Sequence, residues 1–202
     1  MPRLRDERTE KYKRVRRLIK DGDLAMVRNG GLIARLSDGD YTHVGKCIWI
    51  RDALGNPKVL MIAELREGRG GQILTLSSQV ARFPGKIDIF RPLCSPDCAA
   101  LSADYVARMA GHDYGWGAIR LACYKRLTLL RLVTGWKFRT DGTELSPWAE
   151  PKHCSQAVCW GERAAARKID PDWEPTHKND RDCEPNDLAN TEHQKLFQGL
   201  TH

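Results

Sequence analysis

The sequence predicts an α+β fold in which an antiparallel sheet packs against helices. Three observations carry that expectation. Short runs of β-branched and aromatic residues recur between residues 24 and 90, joined by turns too short for a helical crossover, so neighbouring strands run antiparallel. Helical patterns flank these runs, one before Asp21 and others after Ser95 and Cys154. The 202 residues are 41% hydrophobic and show no internal repeat, which suits one domain over 1–202 with a core of its own.

Leu4 to Lys20 reads as a basic N-terminal helix within residues 1–20, with Tyr12, Val15, Leu18 and Ile19 as its apolar stripe. A solvated surface helix explains it better than a nucleic-acid or membrane arm. Asp21-Gly22-Asp23 ends it, Leu24 to Val27 is a short strand, and Asn29-Gly30-Gly31 is a turn. Asp38-Gly39-Asp40 then leads into Tyr41-Thr42-His43-Val44-Gly45 and a strand that runs on to Ile50. Ala53 to Pro57 is a loop, and Lys58 to Glu64 is the returning strand. A hairpin folded about Leu54 sets His43 opposite Glu64, with Cβ atoms roughly 4.5–5.5 Å apart. A one-residue slip would send Glu64 to the other face.

Glu67-Gly68-Arg69-Gly70-Gly71 is a turn; it lacks the Lys-Ser/Thr ending of a phosphate loop. Ile73 to Leu76 and Lys86 to Phe90 are further strands, and Ser95-Pro96-Asp97 caps a helix running to about Ala110. Gly111 to Gly117 breaks the pattern. A basic helical stretch over 118–134 follows, inside an insertion at 116–136 flanked by Trp116 and Trp136. Its composition suits peripheral contact with an anionic membrane, although packing on its own domain is the commoner use. After the Pro-rich connector Ser146 to Pro151, Cys154 opens a helix with Ala157, Val158, Ala164 and Ala165 on one face. Pro171 to Pro185 is a wrapped loop, and Glu184 to Ala189 starts a last short helix.

The net charge of +7 and sequence pI near 9.1 point to an anionic partner without choosing one. Seven irregularly spaced cysteines favour free thiols in a reducing compartment. No apolar segment follows Met1 and no run of residues is long enough to span a bilayer, so a cytoplasmic location is expected. Oligomeric state stays open.

Nucleophilic catalysis by cysteine needs a thiolate, a base that also protonates the leaving group, and a residue that orients the imidazole. Cys154 falls in a first helical turn, where unpaired N–H groups favour the thiolate. Position alone would leave it a small buried residue. A partner histidine has to reverse that: His43 stands as candidate base and Glu64 as its orienting partner, although a His–Glu cross-strand pair taken alone is more often a surface contact. A buried sulfur, or one separated from the imidazole by more than a water's width with no mobile loop between them, would leave only a basic globular scaffold.

The order of Tyr41-Thr42-His43-Val44-Gly45, a strand ending in Glu64, Gly111-x-x-Tyr114, Cys154-Ser155 opening a helix and Pro185-Asn186-Asp187-Leu188 resembles one group. It is similar to the circularly permuted NlpC-like papain-fold proteins, the YiiX-like branch, over roughly Gly22 to Ala189. The resemblance implies a papain-like fold of permuted NlpC type and a cysteine peptidase or amidase, that is, a thiol protease or related hydrolase. It implies Cys154 as nucleophile, His43 as general base and acid, and Glu64 as the group orienting His43. The Cys154 N–H would form part of the oxyanion hole, with Tyr114 or Tyr41 as a second donor. His153 and Ser155 flank the nucleophile, and His153 either competes as base or raises local positive charge. No cofactor or metal is implied.

The expected reaction is cleavage of an amide bond, peptide or isopeptide, through an acyl-enzyme. The substrate is a peptide, a murein fragment or a lipid amide, anionic in keeping with the charge. A phage-encoded or otherwise delivered enzyme of this kind could act at the cell envelope. The alternative is a lipid-active thiol acyltransferase or acylhydrolase with the same three residues. A zinc module built on Cys94, Cys98, His112 and Cys123 has poor ligand spacing. Specific nucleic-acid binding lacks a recognition motif.

Overall fold

Alternation along the strands divides the sheet between two cores. The computed structural model describes residues 3–29, 39–114, 153–178, 180 and 183–201. The strands are β1 (Leu24–Arg28), β2 (His43–Arg51), β3 (Pro57–Arg66), β4 (Gly70–Thr75), β5 (Lys86–Pro92) and β6 (His193–Phe197). They form one antiparallel sheet in the order β4-β3-β2-β1-β5-β6. The helices are α1 (Arg3–Val15), α2 (Leu76–Arg82), α3 (Pro96–Ala107) and α4 (Cys154–Ile169). Ala25, Val27, Cys47, Ile62, Ile87 and Ile89 point to a core closed by Tyr12, Ile19, Leu76, Val80 and Leu200. Leu24, Met26, Val44, Ala63 and Phe90 face Val106 of α3 and Cys154, Val158 and Cys159 of α4. Each fully buried aliphatic side chain in these layers contributes roughly 1.5–3 kcal/mol.

An α+β architecture with an antiparallel sheet packed against helices is therefore what the chain forms. The insertion at 116–136, the 118–134 helix and the 146–151 connector lie outside the described residues. Elsewhere several boundaries differ from expectation. α1 ends at Val15 and passes into a 3₁₀ turn, Arg16–Leu18. The tighter turn rotates Leu18 outward, leaving it 58% exposed while Ile19 is buried. Leu76 is not a strand residue: Thr75 caps α2 by accepting from the Ser78 N–H at 3.3 Å. α3 stops at Ala107, and turns continue to Gly111. The expected last helix is only a 3₁₀ turn, Pro185–Leu188, followed by the unforeseen edge strand β6.

The register of the central hairpin also differs. A fold about Leu54 with direct pairing would set Cys47 opposite Leu60, yet Cys47 pairs with Ile62. Arg51 pairs with Pro57, one residue beyond the expected partner, and an irregularity between Ile50 and Arg51 adds a second step. Two single slips restore parity, so His43 and Glu64 keep a common side but become diagonal rather than opposed neighbours.

Two buried charges, absent from any sequence expectation, tie the sheet to α4. Lys46 and Glu162 are each fully buried; the Lys46 ammonium donates to Glu162 and, at 2.9 Å, to the Gly22 carbonyl. His193 of β6 lies 3.3 Å from the same carboxylate.

Candidate active site

Three elements converge at one end of the sheet. Cys154 is the first residue of α4, and His153 precedes it as an extended N-cap whose side chain does not cap the helix. The first-turn N–H groups and the helix dipole are thus directed at the sulfur's end of α4. His43 is the first residue of β2, beside Val27 of β1. Glu64 comes from β3.

The His43 Nε2 lies 2.8 Å from Glu64 Oε2, and the ring is near enough to the Cys154 sulfur for each to shift the pKa of the other. Nε2 is committed to the carboxylate. Glu64 is itself fixed: its Oε1 accepts from Gln72 Nε2 at 2.7 Å, and Arg66 stands 3.5 Å away. Burial pushes the Cys154 thiol up, but the facing His43 charge and a hydrogen bond from His153 outweigh it and hold the sulfur well below the usual thiol value. Burial likewise opposes a charge on His43, and the thiolate, then Glu64, overcome that and raise its pKa. Burial also works against ionised Glu64, yet the hydrogen bond and charge of His43 keep its pKa lowered. All three shifts favour the charged forms of Cys154, His43 and Glu64.

The remaining candidates divide. Tyr41 donates its hydroxyl to buried Asp88 at 2.7 Å, so that proton is spent away from the sulfur; this corrects the expectation that Tyr41 could serve as an oxyanion donor. Tyr114 packs with Leu65, Met109, Ala157 and Trp160. Burial first, and then the charge of Cys154, raise its pKa, which places the phenol within reach of the sulfur's field. Ser155 donates to the Cys183 carbonyl at 2.7 Å, so its contact of 3.2 Å with His153 Nδ1 has the imidazole N–H as donor. That bond turns the His153 ring beside the sulfur.

Cys154 is buried, 5% exposed, which runs against the expectation of an open nucleophile. The second expectation, a sulfur near the imidazole, agrees with the mutual influence of Cys154 and His43. Around it, His43, His153 and Tyr114 are half-buried.

Gln72 was not foreseen as a site residue, although the signal was present. Folding the second hairpin about Gly68 sets Gln72 directly against Glu64, the pairing observed. Gly71, beside it, meets the turn after α3: its N–H donates to the His112 carbonyl at 2.7 Å, and its carbonyl accepts from Gly111 at 2.9 Å. A Cβ at Gly71 would stand 1.8 Å from the Met109 carbonyl oxygen. The glycines of this turn let the segment bearing Tyr114 dock on the strand edge.

Among the described residues no three His, Cys, Asp or Glu side chains are arranged to hold a metal ion. Nor is any described helix long and apolar enough to cross a membrane. The six described cysteines are free thiols. No protein-family model matches the chain, and no curated protein matches its sequence.

Proposed function

We propose that the protein is a thiol hydrolase that cleaves an amide bond through an acyl-enzyme, with a papain-like fold of the permuted NlpC type. The observation that carries this reading is the row from Cys154 through His43 to Glu64, with the carboxylate 2.8 Å from the ring. Cys154 Sγ attacks the carbonyl carbon, and the π electrons move onto the oxygen. His43 gives its proton to the departing amine as the C–N bond breaks, then takes a proton from the water that releases the acid. In this reading the Cys154 N–H is one donor to the developing oxyanion and Tyr114 is the candidate for a second, each such donor being typically worth roughly 3–4 kcal/mol.

The basic chain favours an anionic substrate, of which acidic murein peptides are the first to test. The experiment is release of amine from such peptides by the native chain and by Cys154→Ala, with labelled phospholipid run in parallel. Cleavage lost in a folded Cys154→Ala variant supports the reading. Unchanged cleavage in that variant removes it, and turnover of phospholipid alone replaces it with the acyl-lipid alternative.

A further inference from the structure

Residues 183–189 touch both halves of the site. Asn186 lies in the 3₁₀ turn Pro185–Leu188. Its Oδ1 accepts from the Tyr41 N–H at 2.9 Å, and its Nδ2 donates to the Tyr41 carbonyl at 3.0 Å. The side chain therefore pairs with the Tyr41 backbone as a neighbouring strand would, two residues before His43. The approach is close. A Cβ at Gly39 would stand 2.4 Å from the Asn186 Oδ1, at a φ of +153°.

The turn that carries Asn186 is held in place. The Glu184 N–H donates to the Asp187 carboxylate at 2.8 Å, and Leu188 is buried in the core that contains Cys154 and Val158. On its other side, the Cys183 carbonyl accepts from Ser155, next to the nucleophile.

We propose that Asn186 is a positioning residue for His43: by fixing the Tyr41 backbone it sets where β2 begins and so keeps the imidazole against the Cys154 sulfur. The inference rests on the thiol–imidazole reading of the site. Asn186 touches no reacting atom. Removing its carboxamide leaves the Cys183–Ser155 bond in place, so the helix end stays while the base gains freedom. The sulfur then loses part of the cation that keeps it ionised.

The test is the rate of Cys154 alkylation by iodoacetamide as a function of pH, with the labelled residue identified by mass spectrometry. The native chain is compared with Asn186→Ala, Asn186→Asp and Leu200→Ala, the last a cavity in the core on the other face of the sheet. The native chain is expected to show an acid midpoint well below the ordinary thiol value of 9.0. Asn186→Ala raises that midpoint by at least about one pH unit. Asn186→Asp, which keeps the acceptor for Tyr41 but not the donor, raises it by less. Leu200→Ala lowers the melting temperature without moving the profile. A folded Asn186 variant that melts earlier yet keeps the native midpoint overturns the positioning role, and either variant suffices. A native midpoint near 9.0 would instead overturn the thiolate–imidazole reading and this inference with it.

Discussion

His43 and Glu64 meet diagonally across β2 and β3, their side chains 2.8 Å apart at Nε2 and Oε2. The carboxylate's second oxygen is held by Gln72 on the next strand, so the imidazole is aimed by a chain of contacts over three adjacent strands. Glu64→Gln replaces the anion by an amide, whose NH2 group must face either His43 or the Gln72 NH2. The ring loses its orienting charge and the sulfur loses part of its cation. The expected outcome is a fall in kcat/KM on the order of 10²- to 10⁴-fold with the fold retained. Steady-state kinetics beside a circular-dichroism melt checks it, and native-like kcat/KM would leave Glu64 merely structural.

The pH dependence follows from the same pair. The facing His43 charge and the His153 hydrogen bond outweigh burial and lower the Cys154 pKa from 9.0 to about 5. The thiolate and then Glu64 outweigh burial and raise that of His43 from 6.5 to about 10. The ionised sulfur is lost as pH falls through the lower value, and the protonated ring is lost as pH rises through the upper one. Both values belong to the pair as a unit. A pH series of kcat/KM should therefore be a broad plateau that includes neutrality, with limbs near those two values. A profile that climbs steadily toward pH 9 would mean that the sulfur is an ordinary thiol.

Much of this was legible in the chain because strand periodicity and turn chemistry are local. His43 and Glu64 could be paired from the loop around Leu54, and the pair survives a misjudged register because two single slips cancel in parity. Other features depend on packing that no short window encodes. Leu76 completes an apolar run yet starts α2, because the Thr75 hydroxyl offers a cap and the helix buries Leu76 and Val80 together. β6 carries no alternation, since an edge strand needs only backbone partners from β5. Lys46 looks like a solvent-facing residue of a half-buried strand. Its burial makes sense only once Glu162, far along the chain, is brought to it.

The turn at Gly71 gives a prediction that links stability to the site. A methyl group there would collide with the Met109 carbonyl oxygen at 1.8 Å, so either the turn after α3 or the β4 edge must move. Gly71→Ala should cost about 1–3 kcal/mol in a denaturant melt. It should also displace Tyr114, which follows that turn. Tyr114→Phe isolates the second effect: loss of an oxyanion donor lowers kcat by about 10²- to 10³-fold with KM little changed. If Tyr114→Phe keeps native kcat, the second donor lies elsewhere and the Gly71 substitution should act on stability alone.

The buried Lys46–Glu162 pair decides how the fold responds to acid. Burial pushes the Glu162 carboxyl up, but the Lys46 charge and then His193 outweigh it and lower its pKa from 4.5 to about 2. Its stabilisation is complete above the unfolded value near 4.5 and is lost as pH falls through the folded value near 2. Glu162→Gln removes the anion and strands the Lys46 ammonium in the core, a change that should cost about 3–5 kcal/mol. Lys46→Met alone strands the carboxylate, with His193 Nε2 still 3.3 Å from it, and should cost a similar amount. The double variant Lys46→Met/Glu162→Leu leaves no lone charge from this pair and should recover part of the loss, because a buried ion pair gains little over well-packed apolar groups, while His193 Nε2 and the Gly22 carbonyl lose these partners. Denaturant melts between pH 2 and pH 7 measure all three. Additive losses in the double variant would show that the two charges act independently.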